Sequence, residues 1–128
     1  MMSTQPCIEC GMEVPKDAVA CEICGCNFIR GVVLSTELGK IEIRSNTELG
    51  QGTIRQIVGD DARFFSVVQF SLVNSQGQGW LLVPAQKAKN QTFLNGSSVD
   101  KLGHVLGSGD VISLKDRVGA ISVSLIRD

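Results

Sequence analysis

The chain has 128 residues and a formal net charge of −1, enough for one ordinary domain or for a small one beside a medium one. Such a balance provides no global basic field for nucleic acid, and no apolar run approaches the roughly 18 residues that would suggest a membrane-spanning helix. The N-terminus lacks a basic segment followed by an apolar core, so no secretory signal is expected. The expected compartment is a reducing cytoplasm, where paired cysteines bind metal more often than they form disulfides.

The first element is "CIECGMEVPKDAVACEIC", Cys7 to Cys24. All five cysteines fall within the first 26 residues, four of them in two C-x-x-C pairs. In each pair the chain turns tightly enough to aim two sulfurs at one ion, and zinc accepts four thiolates in a tetrahedron. Gly11 and Gly25 follow the pairs, where φ > 0 is cheap for glycine and lets backbone N–H groups face the sulfurs. The spacing predicts two knuckles joined by a hairpin with Pro15 and Asp17 in its turn region. This stretch resembles the zinc-ribbon family. Cys7, Cys10, Cys21 and Cys24 are the expected ligands of one structural Zn²⁺. Four cysteines close the shell, so no catalytic position is left open. Cys26 has the wrong spacing for a knuckle and reads as a spare thiol or a small apolar residue. So short a segment cannot bury enough apolar surface to fold alone, and metal binding supplies the stability. Residues 1–30 carry a net charge of −2, and with a further −2 from four thiolates around a divalent ion they make a poor partner for a phosphate backbone.

From Gly31 onward the pattern is that of short strands. "VVLS", "IEIR", "SVVQFSLV", "GWLLV", "TFLN", "DVISL" and "AISVSLI" are brief, rich in Val, Ile, Leu and Phe, and bounded by turn residues. Ile41 and Ile43 flank Glu42, while Ile121, Val123 and Leu125 flank Ser122 and Ser124, a period of two that indicates strand. No segment shows a helical period. About nine to eleven strands predict a β-sandwich, with Val33, Ile41, Ile43, Val68, Phe70, Leu72, Trp80, Leu82, Phe93, Ile112, Leu114, Ile121 and Val123 in its core.

The order of turns and strands from about Val32 to Leu125 resembles the forkhead-associated (FHA) family. "VVLSTELGKIEIRSNTELGQG" has the family's strand–turn–strand opening, with "LGQG" at its Gly-Arg step. "FSVVQFSLV" stands at its Ser-x-x-His stretch, "NQTFLNG" at its Asn-Gly-Thr and Asn-Gly, and "GSGDVISL" at its late Gly-Asp turn. The resemblance implies phosphothreonine-peptide binding at one end of the sandwich. There the family's Arg pairs with phosphate, the Ser donates to it, the His braces the loop and the Asn holds the peptide backbone. In this chain the Arg position is Gln51, which cannot supply charge. Ser66 keeps the Ser, Val67 replaces the basic residue that often follows it, and Gln69 replaces the His. Asn90 and Thr92 match, with Gln91 in place of the Gly between them, and Asn95 and Gly96 also match. A weak or altered phosphopeptide site at Ser66 and Asn90, helped by Arg55 or Arg63, is one reading of these residues. The other is that Ser66, Asn90 and Thr92 tie loops together, as semi-buried polar side chains usually do.

Other features carry less. His104 is the sole histidine, in the turn-like stretch "KLGHVLGSGD", and reads as a surface residue rather than a catalyst. "GQGTIR" lacks the Lys and the following helix of a phosphate loop. Asp60 and Asp61 read as solvated charge, and Trp80 as core. The sequence thus describes a two-part, non-enzymatic binding module: a zinc ribbon at 1–30 and an FHA-like sandwich at 31–128. The segment "NFIRG" between them is short and partly apolar, unlike a flexible tether. The expected role is that of a signalling adaptor docking a protein partner, phosphorylated or not, without need of phosphate. Phosphothreonine-peptide binding and a nucleic-acid adaptor acting through the ribbon are the rival readings.

Overall fold

The computed structural model describes residues 4–7, 9–15, 20–21, 23–24, 28–75, 79–115 and 118–127. Strands β1 (Thr4–Pro6) and β2 (Glu13–Pro15) pair antiparallel as a small hairpin, Thr4 opposite Pro15. The hairpin spans the first cysteine pair, and Pro15 ends its second strand. The turn region expected between the two pairs, Asp17 included, lies outside the described residues, as do Gly25 and Cys26.

Two larger antiparallel sheets follow. β3 (Ile29–Thr36) and β4 (Gly39–Ile43) form the first hairpin, and β5 (Thr47–Leu49) crosses to the other sheet. An α-helix, α1 (Gln51–Val58), and a 3₁₀ turn (Gly59–Phe64) lead to β6 (Phe70–Ser75) and β7 (Gly79–Pro84). The remaining strands are β8 (Phe93–Leu94), β9 (Ser97–Ser98), β10 (His104–Val105), β11 (Val111–Ser113) and β12 (Ile121–Arg127). One sheet runs β10-β7-β6-β5 and the other β4-β3-β12-β11-β8-β9.

Side-chain alternation decides which residues meet between the sheets. Val32 and Leu34 of β3 are buried, and pair with Ile43 and Ile41 of β4 and with Leu125 and Val123 of β12. Leu72 faces Leu82 across β6 and β7. Of the predicted core, Ile43, Phe70, Leu72, Trp80, Leu82, Ile112, Leu114, Ile121 and Val123 are buried, whereas Val33, Ile41, Val68 and Phe93 are only half-buried. Val33 lies in an unbroken Gly-Val-Val-Leu run whose phase the sequence leaves ambiguous, and the neighbouring registers turn Val32 and Leu34 inward. Val68 precedes β6, which starts only at Phe70.

The helix is the departure from the all-strand expectation. Ile54 and Ile57 of α1 are buried in the main core, and the Gly59 N–H caps it on the Arg55 carbonyl. It also supplies the helix that "GQGTIR" was expected to lack; the stretch still has no Lys. No helix among the described residues is long and apolar enough to cross a membrane.

A second, smaller cluster joins Cys7, Val14, Cys21 and Phe28. Phe28 and Ile29 are consecutive, yet Phe28 belongs to this cluster and Ile29 to the sandwich core. The buried Trp80 indole donates its N–H to the Ile29 carbonyl at 3.0 Å, the partner that a buried indole requires.

Candidate functional site

The cysteine cluster begins with local backbone geometry. Cys7 N–H donates to the Met12 carbonyl (2.9 Å) and Gly11 N–H to the Cys7 carbonyl (2.8 Å), closing a tight knuckle. Gly11 holds φ +76, a conformation that costs other residues. The second pair comes from Cys21 and Cys24. The four sulfurs all lie within 4.8 Å of one another, with Cys7–Cys24 and Cys10–Cys21 each at 3.6 Å. A disulfide would need about 2.05 Å. A zinc tetrahedron with Zn–S of about 2.3 Å puts sulfurs about 3.8 Å apart, so the four thiols could hold one such ion.

The backbone favours the thiolate at Cys7 and Cys21. Hydrogen bonding from the Cys10 backbone is the main cause that lowers the Cys7 thiol to about 6. The Cys24 backbone likewise lowers Cys21. Cys10 is drawn down by the Met12 backbone, but burial from water and the sulfurs of Cys21 and Cys7 leave it raised on balance.

The second candidate lies at one end of the sandwich, where the loops after β5 and β7 meet. Gly50 is pressed against the neighbouring loop, since a Cβ there would fall 1.8 Å from the Val67 carbonyl oxygen. Only glycine allows this approach. It lets Gln51, the first residue of α1, donate its N–H to the Ser66 carbonyl at 2.9 Å. Gln69 is fully buried and joins both loops. Its Oε1 accepts from Ser66 N–H (3.0 Å), and its Nε2 donates to the Asn90 carbonyl (2.7 Å) and to Thr92 Oγ1 (2.9 Å). Its backbone N–H reaches the Leu49 carbonyl and its carbonyl accepts from Ala85.

Ser66 and Asn90 are tied in as well. Ser66 Oγ accepts the Lys89 N–H at 2.7 Å, and Asn90 Nδ2 donates to the Phe64 carbonyl at 2.6 Å. Thr92 is buried against Gln69. Gln51, Ser66, Gln69, Asn90 and Thr92 are thus brought together. Arg63 lies over the Phe64 ring, 4.7 Å from its centroid, and its carbonyl accepts from Lys89 Nζ. Arg55 is exposed in the last turn of α1. Beside Asn90 opens a cleft of about 270 Å³, lined by Pro84, Ala88, Thr92, Val99 and Lys101 among others.

Asn95 and Gly96 serve a turn. Asn95 adopts φ 53, accepts from Val111 N–H and donates to Asp110, which in turn accepts from Gly107 N–H. His104 is exposed at the sheet edge.

Sequence reasoning missed Lys89 and Phe64. Both take part largely through backbone groups, which no residue-type pattern reveals. The single available signal was position, Lys89 directly preceding Asn90 and Phe64 preceding the Ser66 loop.

A family model of the FHA domain matches residues 40–115, more than half of the chain. Comparison with curated proteins and with solved structures found no match. Sandwich and family match agree, and the chain belongs to the FHA-domain family.

Proposed function

We propose that this protein is a non-catalytic adaptor whose FHA sandwich docks a protein partner without requiring phosphate, and whose N-terminal segment is a zinc ribbon. FHA domains are protein-interaction modules that typically bind phosphothreonine. The single observation supporting phosphate independence is the loop geometry: a neutral Gln51 at the position of the family's Arg, with Ser66 Oγ and Asn90 Nδ2 already bonded to neighbouring loops. A missing charge-assisted contact removes about 1.5–3 kcal/mol, which is roughly ten- to hundredfold in affinity. Titrating paired phosphorylated and unphosphorylated threonine peptides against wild type and Gln51→Arg tests the reading. Wild type should show no preference for phosphate, and Gln51→Arg should gain one. Tight phosphate-dependent binding by wild type would point instead to Arg55 or Arg63 as a substitute clamp.

The sulfur separations and the cluster of Cys7, Val14, Cys21 and Phe28 support one structural zinc held by Cys7, Cys10, Cys21 and Cys24. Such an ion supplies folding energy rather than chemistry. Adjacent Phe28 and Ile29 serving separate apolar clusters support a division of the chain near residue 30. Metal analysis should find one zinc per chain, unchanged in Cys26→Ser and absent in Cys21→Ser. A zinc-free chain with an ordered N-terminal segment would sink the assignment.

A further inference from the structure

Beyond phosphate, the loop end has a chemistry of its own. Val67 is 84% exposed and Phe64 37% exposed, two large apolar side chains open to water beside Ser66. The loop around Phe64 and Ser66 is tied to the loop of Lys89 and Asn90. Asn90 bonds the Phe64 carbonyl, Lys89 bonds Ser66 Oγ through its backbone and the Arg63 carbonyl through its side chain, and Arg63 rests on the Phe64 ring. Arg63 is thereby set on the Phe64 ring, and the Lys89 ammonium on the carbonyl of the residue before Phe64.

The charge is lopsided as well. Segments 50–69 and 84–92 carry Arg55, Arg63, Lys87 and Lys89 against Asp60 and Asp61, in a chain whose total is −1. The two aspartates open the 3₁₀ turn, whereas Arg63 lies in its last turn. All four cations are exposed, and among the described residues none is in an ion pair. A fifth, Lys101, lines the same cleft as Asn90, next in sequence to the exposed Asp100.

We propose that this loop end docks an unphosphorylated acidic segment of a partner protein, an apolar residue resting on Phe64 and Val67 while flanking carboxylates face Arg63 and Lys89. The inference rests on the phosphate-independent reading above and adds to it the chemistry of the ligand. Carboxylates suit this rim. Each carries one charge, which an exposed Lys or Arg can meet without the fixed fork that a phosphate dianion rewards. Rim charges of this kind mainly speed encounter and make it salt-dependent, while the apolar contact holds the complex.

The test uses the full, metal-loaded chain and a labelled unphosphorylated peptide with a central Leu-Phe pair flanked by Asp and Glu. Binding is read by fluorescence anisotropy at low and high salt. The acidic peptide should bind, and more weakly as salt rises. Arg63→Ser with Lys89→Ser should weaken binding roughly three- to tenfold and flatten the salt dependence. Val67→Ser should weaken it about fivefold while leaving the salt dependence. These exposed positions lie outside the core, and unchanged melting of each variant verifies its fold. A control peptide with Lys and Arg in place of the acids should bind far less. Equal binding of the two peptides overturns the acidic assignment but leaves phosphate independence standing. Failure of both peptides to bind a folded chain overturns the inference alone. Binding that appears only with a phosphothreonine in the peptide overturns both.

Discussion

Gln69 is a fully buried amide that braces two loops with one acceptor and two donations. Gln69→Leu would leave the Ser66 N–H and the Asn90 carbonyl without this partner, at about 1–3 kcal/mol per orphaned group. A loss of about 2–4 kcal/mol is expected in urea unfolding, along with disorder of the Ser66 and Asn90 loops. Asn90→Ala should cost much less, because Asn90 is exposed and water can satisfy the Phe64 carbonyl. The contrast between the two variants is what separates a buried brace from a surface tie. The residue types at these positions were legible in the sequence because they stand in the family's order. That Lys89 and Phe64 complete the arrangement was not, since a backbone N–H and a backbone carbonyl look the same in every residue.

Among the elements, the strands were the most readable and the helix the least. Ile41–Glu42–Ile43 and the alternation through Ile121, Val123 and Leu125 declare strands because the period of two is visible within five residues. The eight residues of α1 span barely two turns and include Gly52, so Ile54 and Ile57 cannot establish a helical period by themselves. Tertiary burial decides the matter, since both isoleucines are 0–1% exposed and belong to the main core. Ile54→Ala should therefore cost about 2–5 kcal/mol, like any truncation in the sandwich interior. Thermal melting of that variant checks it. A change below about 1 kcal/mol would mean that α1 is an appendage and not part of the core. The same short helix fixes the position of Gln51 at its first residue, so loosening it should also alter binding at the loop end.

At the scale of the whole molecule, the described residues form two apolar clusters of unequal size. The larger draws on both sheets and α1, while the smaller has Val14 and Phe28 beside two of the cysteines. The proposed zinc would supply the folding energy that so small an apolar cluster lacks. Chelation should therefore unfold the N-terminal segment and leave the sandwich cooperative in urea; simultaneous loss of both would show that the sandwich depends on the ribbon. The contact between Trp80 and the Ile29 carbonyl has a practical consequence. Trp80 is the only tryptophan, and its indole is bonded one residue beyond Phe28. Its emission is thus an intrinsic optical gauge of the N-terminal segment, with no label needed. Stripping the metal, or replacing Cys21 with Ser, should shift the intensity or wavelength of that emission well before the sandwich melts. Identical spectra with and without metal would mean that Phe28 is released without disturbing Ile29, and that the gauge reads the sandwich alone.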